Sequence, residues 1–423
     1  MAPLAYTCVW LAMIAPRLFS PTQQLRSRAA HPQASEAPPV QLLTTPPEEM
    51  PDALGIDAGK SRGIWQALRK GLDPTNDPIV EVPHKDQGMV VNSQHVSVRM
   101  QRRLADSCAP LRAGEVTTAS LSEAAGTQKM LVQLRDGLSV ECVLIPMGRH
   151  TSVCISSQVG CSRGCRFCST GTMGLVRNLD THEIVHQVWL AQRVVREQRL
   201  PQLVNVVFMG MGEPLNNLAS VSAAVRLLTH PQAFAMSPRS VCVSTVAPSP
   251  AAVLAAAALP CKLAWSVHAA DDELRRLLVP TTRHTMATLR DTFREGLAPR
   301  STKMKALLVE VALIRGINDQ RHHAEQLARF VACFAREEVL VNLIPYNDNG
   351  LGLPDSNELF RQPLMADVRA FQRQLWEHGV LCTVRATKGD DERSACGQLA
   401  TSAPRRSSQA KRDAAEPAAM AGV

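Results

Sequence analysis

The sequence predicts an α/β fold whose core is a partial (β/α)6 barrel. Three observations carry this. From Thr151 onward, apolar runs of strand length alternate with amphipathic helical patterns. The runs are rich in β-branched residues, as in parallel strands buried on both faces. Six strand–helix units follow in succession, enough to curl toward a barrel without closing it.

The strands are expected at Val153–Ser156, Val204–Met209, Ser240–Ser244, Leu263–Val267, Ala306–Ile314 and Val339–Ile344. Between them lie helices such as Glu183–Gln198 and Ala324–Phe334. The first sets Ile184, Val188, Ala191 and Val195 on one face, and Asp180 or Thr181 can cap its start. A last helix, Asp367–His378, leads to a strand at Leu381–Ala386. Upstream, Lys129–Leu134 and Leu138–Ile145 read as two strands around the turn at Asp136-Gly137. Short helical patterns appear at Gly63–Leu72 and Val96–Arg112. Four segments follow: 1–60, a targeting or disordered leader and linker; 61–136, a short N-terminal accessory region; 137–400, the barrel domain; 401–423, a disordered tail.

Composition narrows the function classes. The 423 residues are 45% apolar and 20% charged, which excludes wholesale disorder. Aromatics are only 4%, which disfavours a binder that stacks bases on many rings. A net charge of +8 suits a polyanion partner, although part of it falls in the tail from Thr401. No apolar run is long enough to span a bilayer. Residues 1–35 lack Asp and Glu but contain Arg17, Arg26 and Arg28, like an organelle transit peptide. A secretory signal and a plain disordered leader stay open as alternatives. The expected location is an organelle, chloroplast or mitochondrion, and otherwise the cytoplasm.

Nine of the 12 cysteines are scattered singly, and three fall within eight residues. That pattern points to reduced thiols and a metal centre. The trio is Cys161-Ser-Arg-Gly-Cys165-Arg-Phe-Cys168, just after the first barrel strand, at the end where barrel active sites are built. Three thiolates can hold three irons of a 4Fe–4S cube and leave the fourth iron open. A structural zinc site would need a fourth ligand, for which His182 is a conceivable candidate. An odd, tightly spaced trio does not make a disulfide set.

The segment Cys154-Ile-Ser-Ser-Gln-Val-Gly-Cys161 through Thr172 resembles the radical S-adenosylmethionine superfamily. More narrowly, it resembles the RNA adenine-C2 methyltransferases of the RlmN type and their Cfr relatives. The likeness runs from about Gly137 to Ala400. It recurs at Phe208-Met-Gly-Met-Gly-Glu-Pro-Leu, Trp265-Ser-Val-His268, Asn342-Leu-Ile-Pro-Tyr-Asn347 and Arg385 to Leu399.

The resemblance implies a 4Fe–4S cluster on Cys161, Cys165 and Cys168, with S-adenosylmethionine chelated to the open iron. It implies that Gly212, Glu213, Ser244, Ser266, Val267, His268 and Asn347 hold that cofactor. Cys396 would carry the methyl group, Cys154 would release the product through a disulfide with Cys396, and Glu141 would take the C2 proton. Read from the residues alone, each has a plainer alternative. Gly212-Glu213-Pro214 suits an ordinary strand-end turn, His268 a structural histidine, Cys396 a buried spectator, and Glu141 a solvated strand-edge carboxylate.

The implied partners are RNA (large-subunit ribosomal RNA, with tRNA left open), an external electron donor and a thiol reductant. A monomer without membrane attachment is expected. Arg385, Lys388, Arg393, Lys303 and Lys305 are candidate phosphate contacts at the barrel mouth. Residues 55–112 match the family poorly, which makes the RNA-gripping surface the least secure part. Two other functions share the motifs in part. One is C8 methylation, as in the Cfr relatives; the other is a non-catalytic iron–sulfur RNA-binding or ribosome-assembly factor.

Overall fold

The N-terminal region packs outside the barrel and is held there by a few buried side chains. It comprises α1 (Met50–Leu54), α2 (Ala58–Leu68), a two-stranded ribbon of β1 (Glu81–Val82) and β2 (Val90–Val91), and α3 (Val98–Ser107). This computed structural model describes residues 39–77, 81–82, 90–91, 96–122, 126–353, 358–385 and 397–401. The leader (residues 1–35) and the tail (402–423) therefore lie outside the described residues. The segment from Pro39, expected as loose linker, is instead folded. Leu42, Leu43 and Met50 are fully buried, because a proline-rich segment with few apolar residues places nearly all of them in the core.

The sheet begins earlier than expected. β3 (Gly114–Leu121), β4 (Gln128–Leu134) and β5 (Ser139–Met147) form an antiparallel meander that joins the barrel at β6 (His150–Cys154). Residues 114–136 thus share one sheet with the barrel. Next comes the ribbon of β7 (Gln158–Cys161) and β8 (Gly174–Asn178), with α4 (Ser169–Thr172) between them.

The parallel part then alternates strand and helix as expected. α5 (Thr181–Glu197) leads to β9 (Leu203–Phe208), α6 (Leu218–Thr229) to β10 (Val241–Thr245), and α7 (Pro250–Ala257) to β11 (Lys262–Ser266). Then α8 (Asp272–Leu278), α9 (Met286–Leu297) and α10 (Thr302–Lys305) precede β12 (Leu307–Leu313). α11 (Arg321–Val331) precedes β13 (Val339–Pro345), and α12 (Met365–Glu377) precedes β14 (Cys382–Val384). The sheet order is β14-β13-β12-β11-β10-β9-β6-β5-β4-β3, parallel from β6 to β14. The ends do not meet, so the barrel is open.

Asp180 starts α5 with a reciprocal cap. Its carboxylate accepts from Glu183 N at 2.7 Å, and Glu183 accepts from Asp180 N at 2.9 Å. The helix is buried on the barrel side by Ile184, Val188 and Ala191 and on the other side by Trp189, whose Nε1 donates to Leu72 O at 3.1 Å. Gly71 lies so close that a Cβ there would fall 2.3 Å from Arg193 N. These contacts seat the N-terminal region on α5.

Candidate active site

Strand alternation decides which side chains face the lumen. Ser152 and Cys154 on β6, Cys242 and Ser244 on β10, and Leu308 and Glu310 on β12 point inward. Two connected chambers result. The outer one lies at the C-terminal strand ends. The inner one, an open groove, lies toward the N-terminal strand ends.

The outer chamber gathers Cys161, Cys165 and Cys168 at one wall. Gly212, Glu213 and Ser244 line it, as do Ser266, His268 and Asn347. These residues come from the ends of four strands (β9, β10, β11 and β13) and the cluster loop, as an active site of a β/α barrel does. Gly397, the residue after Cys396, also lines it. Cys396 itself, with Lys388 and Arg393, lies outside the described residues.

The cysteine loop is held from several sides. Cys168 N donates to Cys165 O at 3.1 Å, Arg166 N to Leu278 O at 3.0 Å, and Thr281 Oγ1 to Arg163 O at 3.0 Å. Gly171 fits because a Cβ there would lie 2.7 Å from Cys165 O. Burial pushes the Cys161 thiol up to about 12 and the Cys165 thiol higher. Such thiols stay protonated until a metal displaces the protons. Among the described residues, no three His, Cys, Asp or Glu side chains gather around a single-ion position. Three soft sulfur donors on one wall, with no fourth among the described residues, fit three corners of an iron–sulfur cube better than a zinc ion. His182 is not a fourth ligand. Its Nε2 lies 2.7 Å from Leu111 O, on the outside of the barrel.

Glu213 is 3% exposed. Its Oε1 accepts from Leu215 N at 2.9 Å and Thr245 Oγ1 at 2.6 Å, and its Oε2 accepts from Val246 N at 2.9 Å. Burial raises its proton affinity, and these bonds oppose the rise. Gly212 has φ 103°, and a Cβ there would lie 2.6 Å from Gln158 Cβ and 2.8 Å from Gln158 N. Only glycine gives the chain this approach.

His268 is a non-glycine residue at φ 58°. Its Nδ1 accepts from Ala312 N at 3.1 Å, so a neutral ring carries its proton on Nε2. Burial holds its pKa well below the usual histidine value. Phe167 of the cysteine loop meets its ring edge-on at 4.6 Å. Ser244 Oγ and Ser266 Oγ lie 3.3 Å apart. Val267 does not line the chamber. Its side chain is fully buried elsewhere, and its N–H donates to Glu310 O at 2.9 Å.

The catalytic candidates separate. Cys154 ends β6 and lines the inner groove, not the outer chamber. Glu141 lines neither. Its Oε1 lies 3.3 Å from Lys129 Nζ, and its Oε2 accepts from Ala400 N at 3.0 Å. It is not solvated: it is 5% exposed, and burial raises its proton affinity despite Lys129. No disulfide joins two of the described residues. Lys303 and Lys305 sit on α10, before β12, and thus at the opposite end of the barrel from the cysteines.

Sequence reading missed three residues. Arg275 is fully buried; its Nη1 donates to Ser266 O and Val267 O at 2.8 Å, and its Nη2 to Val246 O at 2.9 Å. Asn349 Nδ2 donates to Phe167 O at 3.0 Å and Gly397 O at 3.1 Å, and so ties the cysteine loop to the C-terminal segment. Glu310 is a buried carboxylate in the middle of β12. The signal for Glu310 was present, since a lone carboxylate in Leu-Leu-Val-Glu-Val-Ala-Leu demands a partner.

Comparison with known proteins agrees with this geometry. Residues 155–330 match the radical SAM superfamily. A protein of Marinobacter nauticus, "Dual-specificity RNA methyltransferase RlmN", is 42% identical over 277 residues, 65% of this chain and 72% of that protein. A Mycolicibacterium paratuberculosis protein, "Probable dual-specificity RNA methyltransferase RlmN", is 43% identical over 304 residues, 70% of this chain and 80% of its own length. The chain belongs to the RlmN family of dual-specificity RNA methyltransferases. A crystal structure of a radical SAM methyltransferase from Sphaerobacter thermophilus superposes with TM-score 0.72 at 31% identity, covering 85% of this chain and 99% of that one. Such coverage exceeds what residues 137–400 alone supply, so the likeness in three dimensions reaches into the N-terminal region. Membership in this family places the chain among the radical SAM enzymes. Among the described residues, no helix is long and apolar enough to cross a membrane.

Proposed function

We propose that the chain methylates C2 of an adenine in large-subunit ribosomal RNA, and in tRNA, through a methyl group carried on Cys396. The observation that carries this reading is the outer chamber. It brings the three cysteines together with Gly212, Glu213, Ser244, Ser266, His268 and Asn347 around one space. The chamber is concave and lined by apolar side chains with a few convergent polar groups, as a small-molecule site is, and Gly212 lets its wall pack closely on Gln158.

A 4Fe–4S cluster with S-adenosylmethionine would supply one-electron chemistry, which the electron-poor C2 of adenine requires. Cys161, Cys165 and Cys168 would hold the cluster. Glu213, fixed by its three hydrogen bonds, would accept from an ammonium group, and Gly212 would let the ligand approach the backbone. Ser244, Ser266, His268 and Asn347 would meet the remaining polar edges, with Val267 contributing only as the link between Ser266 and His268. Cys154 would attack the Cys396 sulfur to free the product, and an external thiol reductant would restore both. Glu141 would take the C2 proton only after its carboxylate leaves Lys129 and Ala400 N, since it lines neither space in this arrangement.

An external electron donor and RNA are the remaining partners, and the protein would act as a monomer. The acid-free leader favours action inside an organelle; without import, the protein would act in the cytoplasm. The test is anaerobic reconstitution with iron, sulfide, reductant and a ribosomal RNA fragment, read by nucleoside mass spectrometry. C2-methyladenosine is expected, and Cys396→Ala should abolish it. C2-methyladenosine formed by that variant would refute the carrier role, and C8-methyladenosine would assign the other regiochemistry. RNA binding without consumption of S-adenosylmethionine would support the non-catalytic function instead.

A further inference from the structure

The inner groove has no task in the cofactor site. It shares Met209, Glu310, Ile344 and Asn347 with the outer chamber, so the two spaces meet at those side chains. Cys154 lines it. Arg239, Lys262 and Arg385 line it too, and all three are cations suited to phosphate. Its deepest polar group is Glu310, 3% exposed and paired in register with Ser266 and Asn342.

Glu310 is aimed, not merely buried. Thr383 Oγ1 donates to Asn342 Oδ1 at 3.1 Å, which turns the Asn342 amide so that Nδ2 faces Glu310 Oε1 at 3.3 Å. Asn342 is the sole hydrogen-bond partner of that carboxylate among the described residues. The positive charge of Arg385 also favours the ionised form of Glu310, and a carboxylate with one oxygen held keeps acceptor capacity for a ligand's donor.

We propose that the inner groove receives the target nucleoside unstacked from its RNA, and that Glu310 reads the 6-amino group of its adenine. This rests on the proposed RNA substrate. Adenine presents an amino donor at position 6, where guanine and hypoxanthine present an acceptor. An ionised carboxylate offers only acceptors, so it accepts from the amino group and opposes a 6-oxo base. The phosphates on either side would meet Arg239, Lys262 and Arg385, and the unstacking cost is least in a loop. Asn342 acts as a positioning residue that orients Glu310.

The test is equilibrium binding of fluorescent stem-loop RNAs to the reconstituted protein. The RNAs differ only at the target, which is adenosine, purine riboside (no 6-amino group) or inosine. The wild type should prefer adenosine to purine riboside by roughly tenfold to a hundredfold, the range for a hydrogen bond to a charged group. Glu310→Ala should erase that preference. Glu310→Gln keeps an oxygen for Asn342 and turns an amide donor to the groove, so it should shift preference toward inosine. No preference in the wild type would overturn the assignment. Preference surviving in Glu310→Ala, or no inosine shift in Glu310→Gln, would also overturn it. Methyl transfer is scored separately by nucleoside mass spectrometry, so loss of the proposed activity and loss of base reading are distinct results.

Discussion

Replacing Arg275 by Met tests how the cofactor wall is held. The guanidinium spans three backbone carbonyls: Ser266 and Val267 at 2.8 Å and Val246 at 2.9 Å. Those carbonyls fix the ends of β10 and β11 and the turn that carries His268. The side chain is fully buried, and burial lowers its pKa to about 10. Each bond from a charged donor contributes about 1.5–3 kcal/mol in mutational series. Removing the buried cation also relieves a desolvation cost, so the three losses do not add in full. We expect Arg275→Met to lower unfolding stability by about 3 kcal/mol, measured by urea denaturation of the metal-free protein. Arg275→Lys retains the charge but not the fork, and should fall between the two. S-adenosylmethionine affinity should drop roughly tenfold in Arg275→Met, as the His268 turn loosens. A stability loss under about 1 kcal/mol would refute the idea that this side chain organises the wall.

Two further outcomes follow from the geometry. Gly212→Ala forces a Cβ to within 2.8 Å of Gln158 N at φ 103°; it should cost about 1–2 kcal/mol in backbone strain alone and weaken S-adenosylmethionine binding, and isothermal titration showing unchanged affinity would contradict the cradle. Burial raises the proton affinity of Glu310, so the folded state holds this proton more tightly than the unfolded chain. Both states are protonated below the usual carboxylate range, and stability from this group falls as pH rises through its folded pKa. Glu310→Gln should therefore gain stability relative to the wild type as pH climbs from 4 toward 8; urea midpoints that differ by a constant amount would contradict this.

The legible parts of the sequence are those where local pattern and global fold agree. The cysteine trio shows through spacing alone, and the α5 start shows through Asp180 and Glu183. The six barrel strands show because parallel strands are apolar on both faces. Other features depend on partners far along the chain. β3 contains Thr-Thr-Ala-Ser and lacks a clear alternation, so only its pairing with β4 makes it a strand. The segment around Leu42 and Met50 resembles linker because proline dominates it, yet its few apolar residues are buried. Val267 sits inside the Ser266–His268 motif, but strand alternation turns it away from the chamber. Arg275 looks like one more charge on a helix. Its role exists only because its guanidinium meets the carbonyls of Val246, Ser266 and Val267, which are distant in sequence or lie beyond its own helix.

On the proposed function, Cys161, Cys165 and Cys168 bind an iron–sulfur cluster with one iron facing the chamber lined by Glu213 and His268. Electron paramagnetic resonance of the anaerobically reconstituted, reduced protein tests it most directly. With about four irons per chain, the reduced-cluster signal should change when S-adenosylmethionine is added, and Cys165→Ala should bind no intact cluster. Iron-free protein, zinc in place of iron, or a signal indifferent to S-adenosylmethionine would contradict the account.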